Sequence, residues 1–91
     1  MLQQDRKYIY MHGVTNSGKR YTLSAIIFIS KNITKFGWAL CSLADNFCKK
    51  TGRNIANRRA IHDEHMILAG TDYTNAATIL KLIAKQFEEN N

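Results

Sequence analysis

Ninety-one residues fit one domain, 1–91, with a modest core and no room for a second. Thirteen Lys and Arg against seven Asp and Glu give a formal net charge of +6, which favours an anionic partner: nucleic acid, a nucleotide or a membrane surface. Two cysteines are too few for a disulfide framework, the apolar run near Ala25–Ile29 is far too short to span a bilayer, and MLQQDRKYIY lacks the apolar stretch of a signal peptide, so a cytoplasmic location without a membrane partner is expected.

Residues 5 to 14 alternate weakly, with Tyr8, Tyr10 and His12 on one face and Ile9 and Met11 on the other. Asn16-Ser17-Gly18 is a strong turn signal. The run RYTLSAIIFIS, 20 to 30, is rich in β-branched and aromatic residues and forms the clearest strand. Lys31 to Thr34 turn the chain into a third strand, where Phe36, Trp38 and Leu40 alternate with Gly37, Ala39 and Cys41. Connections this short predict an antiparallel meander rather than parallel crossovers.

The period then changes. Ser42 followed three residues later by Asp45 fits a capping box opening a helix from Ala44 to about Ala60. Its spacing puts Phe47, Thr51 and Ile55 on one face, toward the sheet, and Lys49, Arg53 and Asn57 on another. After a polar break at Gly70 to Asp72, residues 73 to 88 read as a second amphipathic helix with Ala76, Leu80, Ile83 and Phe87 in one stripe. The expected fold is α+β: a three-stranded or larger antiparallel β-meander followed by two α-helices packed on it.

Two motifs resemble chemistry without its context. Gly13-Val-Thr-Asn-Ser-Gly18-Lys19 matches the core of a phosphate-binding loop, but Arg20 stands where magnesium needs Ser or Thr, and a strand follows where a helix is required. A hairpin turn is the better reading. Cys41, Cys48, His62 and His65 offer four zinc-ligand types at spacings unlike those of structural zinc sites, so no metal is expected. Asp63 and Glu64 read as solvated acids, and no acid/base or nucleophile constellation can be assembled.

The basic helix is the stronger candidate. Lys49, Lys50, Arg53, Arg58 and Arg59 lie in eleven positions without an acid. Lys49 and Arg53, one turn apart, can approach the same phosphate or pyrophosphate, and Asn46 near the helix start can assist. Tyr21 and Phe36 can stack a base or simply serve as strand residues. The alternative is a solvated basic face.

The segment CSLADNFCKKTGRNIANRRA resembles the phage Thoeris anti-defence sponge family, which carries a similar C-S-x-x-D-x-F-x-x-K-x-G-R-x-I-A-x-x-R-A pattern after a β-strand. The matching positions are Cys41, Ser42, Asp45, Phe47, Lys50, Gly52, Arg53, Ile55, Ala56, Arg59 and Ala60, roughly a quarter of the chain. The resemblance implies a non-enzymatic protein of the host bacterial cytoplasm that needs no cofactor. It would bind a cyclic ADP-ribose isomer (glyco-cyclic ADP-ribose) without degrading it and so block Thoeris immunity. It implies a homo-oligomer, dimer or hexamer, with the ligand between subunits, the pyrophosphate held by Lys49 and Arg53, and Asn32 contributed by a β-turn. Some members also bind cyclic oligonucleotides at separate sites, which leaves open a second site here and the part of Arg58 and Arg59 in it. Lys49 stands where Arg is expected, which keeps the charge and loses the bidentate fork. Two other readings of the basic helix are a small phage nucleic-acid-binding protein and a protein-interaction inhibitor.

Overall fold

The computed structural model describes residues 5–41, 49–63 and 66–90. The expected α+β architecture is present. Strands β1 (Arg6–Val14), β2 (Arg20–Phe28), β3 (Ile33–Leu40) and β4 (Met66–Ala69) form one sheet in the order β1-β2-β3-β4, and every pair is antiparallel. Helix α1 (Lys49–Arg58) runs into a π-helical turn at Arg59–Asp63, and helix α2 (Tyr73–Asn90) follows β4. The fourth strand is the element that sequence pattern misses, because four residues, MILA, are too few to establish a period of two.

The β1–β2 hairpin explains the glycines of the Gly13–Lys19 motif. The amide of Thr15 donates to the Lys19 carbonyl at 2.7 Å and Gly18 N to the Thr15 carbonyl at 3.0 Å. Gly18 adopts φ 90, a left-handed conformation open to glycine at little cost. Gly13 meets a different demand: a Cβ there would lie 2.2 Å from the Tyr21 hydroxyl oxygen, so the strand must be bare where the Tyr21 ring crosses it.

Side-chain parity divides the sheet into two faces. On one, Tyr21, Leu23, Ala25 and Ile27 of β2 and Phe36 of β3 pack with Ala76, Leu80 and Ala84 of α2, with Ile9, Met11, Trp38, Leu68, Ile83 and Phe87 around them. This is the main core. It follows from the stripe on α2, which starts where the Asp72 side chain accepts from Thr74 N at 2.8 Å, an N-cap.

On the other face Ile26 and Phe28 pack with Ala60, Ile33 and Ile61, and α1 crosses β2 and β3. The contact residues of α1 correct the sequence reading. Gly52 and Ala56 are buried, as is Ala60 in the π-helical turn, whereas Ile55 is half-buried and Thr51 exposed. A Cβ at Gly37 would come within 2.2 Å of the Ala56 carbonyl oxygen and 2.5 Å of the Ala60 amide. The helix therefore rests on the sheet backbone through small residues instead of large apolar anchors. Phe47 and the capping pair Ser42 and Asp45 lie outside the described residues.

Candidate functional site

The first turns of α1 and the far part of β1 form the most chemically loaded region on the α1 side of the sheet. Tyr10 and His12 alternate onto that side of β1, opposite Ser24 and Thr22 of β2. The Arg53 guanidinium carbon sits 5.6 Å from the Tyr10 ring centroid, a cation–π distance. Lys49, one turn earlier, is exposed, while Arg53 is half-buried.

Asn57 locks this geometry. Its amide nitrogen donates to the Tyr10 hydroxyl at 2.7 Å, and its carbonyl oxygen accepts a short hydrogen bond from the Ser24 hydroxyl. Ser24 and Thr22 are both fully buried, so each hydroxyl needs a partner. Ser24 finds Asn57, and Thr22 Oγ1 finds His12 Nδ1 at 2.9 Å. Two buried hydroxyls thus fix the side chains that flank Arg53.

His12 carries the electrostatic signature of this corner. Burial, followed by the positive charges of Lys49 and Arg53, pushes its pKa below the ordinary histidine value, so the ring is neutral at pH 7 beside two cations. The group can offer an anion two fixed charges, an aromatic ring and a neutral imidazole. Among the described residues, no three His, Cys, Asp or Glu converge as metal ligands would.

Three other sequence-predicted site residues, Tyr21, Phe36 and Asn32, do not join this corner. Tyr21 and Phe36, expected as stacking partners beside the basic helix, are instead 1% and 0% exposed in the core beneath α2, on the opposite side of the sheet. The Tyr21 hydroxyl donates to Glu88 Oε2 at 2.6 Å, and burial, with that carboxylate, pushes its pKa up to about 12. Parity decides the matter, since Tyr21 and Phe36 share the side of Ile9 and Met11, not that of Tyr10 and His12.

Asn32 lies in the β2–β3 turn at the far end of the sheet. It adopts φ 55, a conformation asparagine tolerates better than most residues, and its carbonyl accepts from Gly70 N at 2.7 Å. Thr22, beside His12, and Phe28, which precedes this turn, are six residue steps apart, roughly 20 Å of strand. Within one chain, Asn32 and the Lys49–Arg53 pair belong to separate places. Asn46 and Cys48 lie outside the described residues.

Arg59 has a structural task. Its guanidinium donates to the Trp38 carbonyl at 3.1 Å, on the stretch of β3 that β4 does not pair, since β4 ends its register at Phe36. Arg58 is exposed. His12 and Tyr10 are the site residues that sequence reasoning missed; the alternation that put them on one face was visible, but its facing Lys49 and Arg53 was not. Compared with known proteins, the chain matches no family model, no curated protein and no solved structure.

Proposed function

We propose that this chain is a non-enzymatic phage anti-defence protein that binds and sequesters a cyclic ADP-ribose isomer, glyco-cyclic ADP-ribose, in the bacterial cytoplasm. The observation that carries the proposal is the convergence of Lys49 and Arg53 with Tyr10, His12 and Asn57 on one corner of the sheet. The resemblance of the segment from Cys41 to Ala60 to the sponge family supplies the identity of the ligand.

The chemistry suits such a ligand. A pyrophosphate needs two cations close together, and an adenine or ribose needs an aromatic wall and a few amide or hydroxyl groups. Sequestration asks for slow release rather than for an acid and a base. Cyclic oligonucleotides are a further class to test as ligands.

Self-association belongs to the same proposal. A ligand touching both Lys49 and Asn32 must be held by two copies, given the length of strand between those positions in one chain. A second copy also has apolar surface to cover. Helix α2 lies over β1 and β2 and leaves a groove of about 440 Å³ lined by Trp38, Met66, Ile79, Leu82, Ile83, Gln86 and Phe87, with Leu82 59% exposed.

Calorimetry with cyclic ADP-ribose isomers is the test, followed by heating the complex and identifying what is released. Binding with intact ligand recovered is expected, and Lys49→Ala with Arg53→Ala should lower affinity at least about 100-fold, the scale of two charge-assisted bonds. No binding by any isomer would refute the proposal, and release of a degraded product would make the protein an enzyme. Sedimentation velocity should show an oligomer.

A further inference from the structure

We propose that the α1-side face of β1 is a second binding surface, a track for single-stranded nucleic acid running from Arg53 to the cluster around Phe28. The track shares Arg53 and Tyr10 with the corner proposed for the cyclic ligand and extends from there along β1. Arg6, Tyr8, Tyr10 and His12 alternate onto this face, and because α1 packs over β2 and β3, the β1 row lies beside the helix. Arg6 is exposed, Tyr8 is 42% exposed, and Tyr10 is half-buried.

The row has the two components that sequence-tolerant strand binding uses, stacking platforms and backbone-tracking cations. Tyr8 and Tyr10 hold their rings 6.2 Å apart at 20°, nearly parallel along the strand. Cations lie at both ends. Arg53 covers Tyr10 at 5.6 Å, and at the other end three cations converge on one ring: Arg6 at 4.9 Å, Lys35 at 5.5 Å and Lys31 at 5.7 Å from the Phe28 centroid.

Three like charges around one ring repel one another, and an anion seated among them relieves that repulsion. Asp5, which accepts from both the amide and the hydroxyl of Ser30, is an acid that feels the charges of Arg6 and Lys31. Asp72 and Glu88 are engaged at α2, by its first turn and by Tyr21. From Tyr10 to Arg6 the strand advances about 14 Å, a span for bases on the tyrosines with phosphates at either end.

A fluorescence-anisotropy titration with a labelled single-stranded oligothymidine, against a duplex of equal length, tests this. The single strand should bind at least tenfold more tightly than the duplex, with log affinity falling against log salt with a slope of about −2, the value for about three phosphates. Tyr8→Ala should weaken binding about tenfold without altering the salt slope. Arg6→Ala with Lys35→Ala should reduce the slope by at least about one. Both variants should keep wild-type affinity for cyclic ADP-ribose isomers, so failure of the two proposals can be told apart. Equal affinity for duplex and single strand, absence of binding, or indifference to both variants would overturn the inference.

Discussion

The two faces of the sheet solve opposite problems. Beneath α2, large apolar side chains fill space around the fully buried Leu23, Phe36 and Leu80, and the polar atom of Tyr21 is engaged by Glu88. Beneath α1, small residues bring helix and strand backbones together at Gly37, and buried hydroxyls find partners in Asn57 and His12. One face spends its surface on burial; the other leaves Arg6 and Tyr8 of β1 exposed and holds a cationic corner beside them. Under the proposed function, stability and recognition are separable by face, and adjacent residues of β3 should respond to mutation in unrelated ways.

Phe36 and Gly37 make the sharpest test, since they are neighbours in sequence and point to opposite faces. Phe36→Ala removes a ring that is 0% exposed and should cost about 3–5 kcal/mol through lost transfer and a cavity. Gly37→Ala adds one methyl where the Ala56 carbonyl would be 2.2 Å away, and should cost about 3 kcal/mol by overpacking. Urea unfolding measures both. The faces are distinguished by ligand affinity measured on the folded fraction: it should survive Phe36→Ala and fall in Gly37→Ala, because lifting α1 moves Arg53 off Tyr10 and Lys49 away from His12. Equal effects on affinity would mean that the faces are not independent.

A smaller effect isolates one polar bond of the α2 side, from Tyr21 to Glu88. The folded state raises the Tyr21 pKa from 10.0 to about 12, so it favours the protonated phenol. That contribution is fully present below pH 10 and is lost as pH rises from 10 to about 12. Tyr21→Phe should cost about 1 kcal/mol at neutral pH, the scale of one intramolecular hydrogen bond. Its stability should also fall less between pH 9 and pH 11 than that of wild type. Urea midpoints at the two pH values give the answer, and an identical decline in both proteins would contradict it.

How much of this was legible in the sequence depends on what each contact is made of. Strand β2, the parity of β1 and the stripe on α2 were readable because large apolar side chains at a fixed period carried them, and these fixed the meander and its two helices. The seating of α1 was not, because hydrophobicity points to Ile55 while the contact is made by Gly52, Ala56 and Ala60 on Gly37. Small residues leave no apolar signal. Lys49 and Arg53 were legible as a pair, but their neighbours were not, since Tyr10 and His12 are some forty residues away along the chain. The misplacement of Tyr21 and Phe36 has the same origin: parity says which residues share a face, and only the packed helices say which face receives the cations.

The smallest expected effect concerns His12 and reports directly on what occupies the corner. Burial and the charges of Lys49 and Arg53 lower its folded pKa below 6.5, so the fold disfavours the imidazolium, and stability present above pH 6.5 declines as pH falls below it. Among the described residues, Lys49 and Arg53 of α1 are the cations whose charge acts on His12, and Thr22 of β2 holds its ring. A phosphorylated ligand seated on Lys49 and Arg53 offsets their field and raises the His12 pKa back toward its ordinary value. Binding must then take up protons near pH 6, and affinity must rise by a few-fold between pH 7.5 and pH 5.5, the linkage expected of a histidine whose pKa rises on binding. Calorimetry in two buffers of different ionisation enthalpy measures the uptake directly. His12→Gln keeps a polar side chain beside Thr22 and should abolish both the uptake and the pH dependence. Proton release on binding, or uptake that persists in the glutamine variant, would place the anion away from this corner and leave the α1 side with a packing role only.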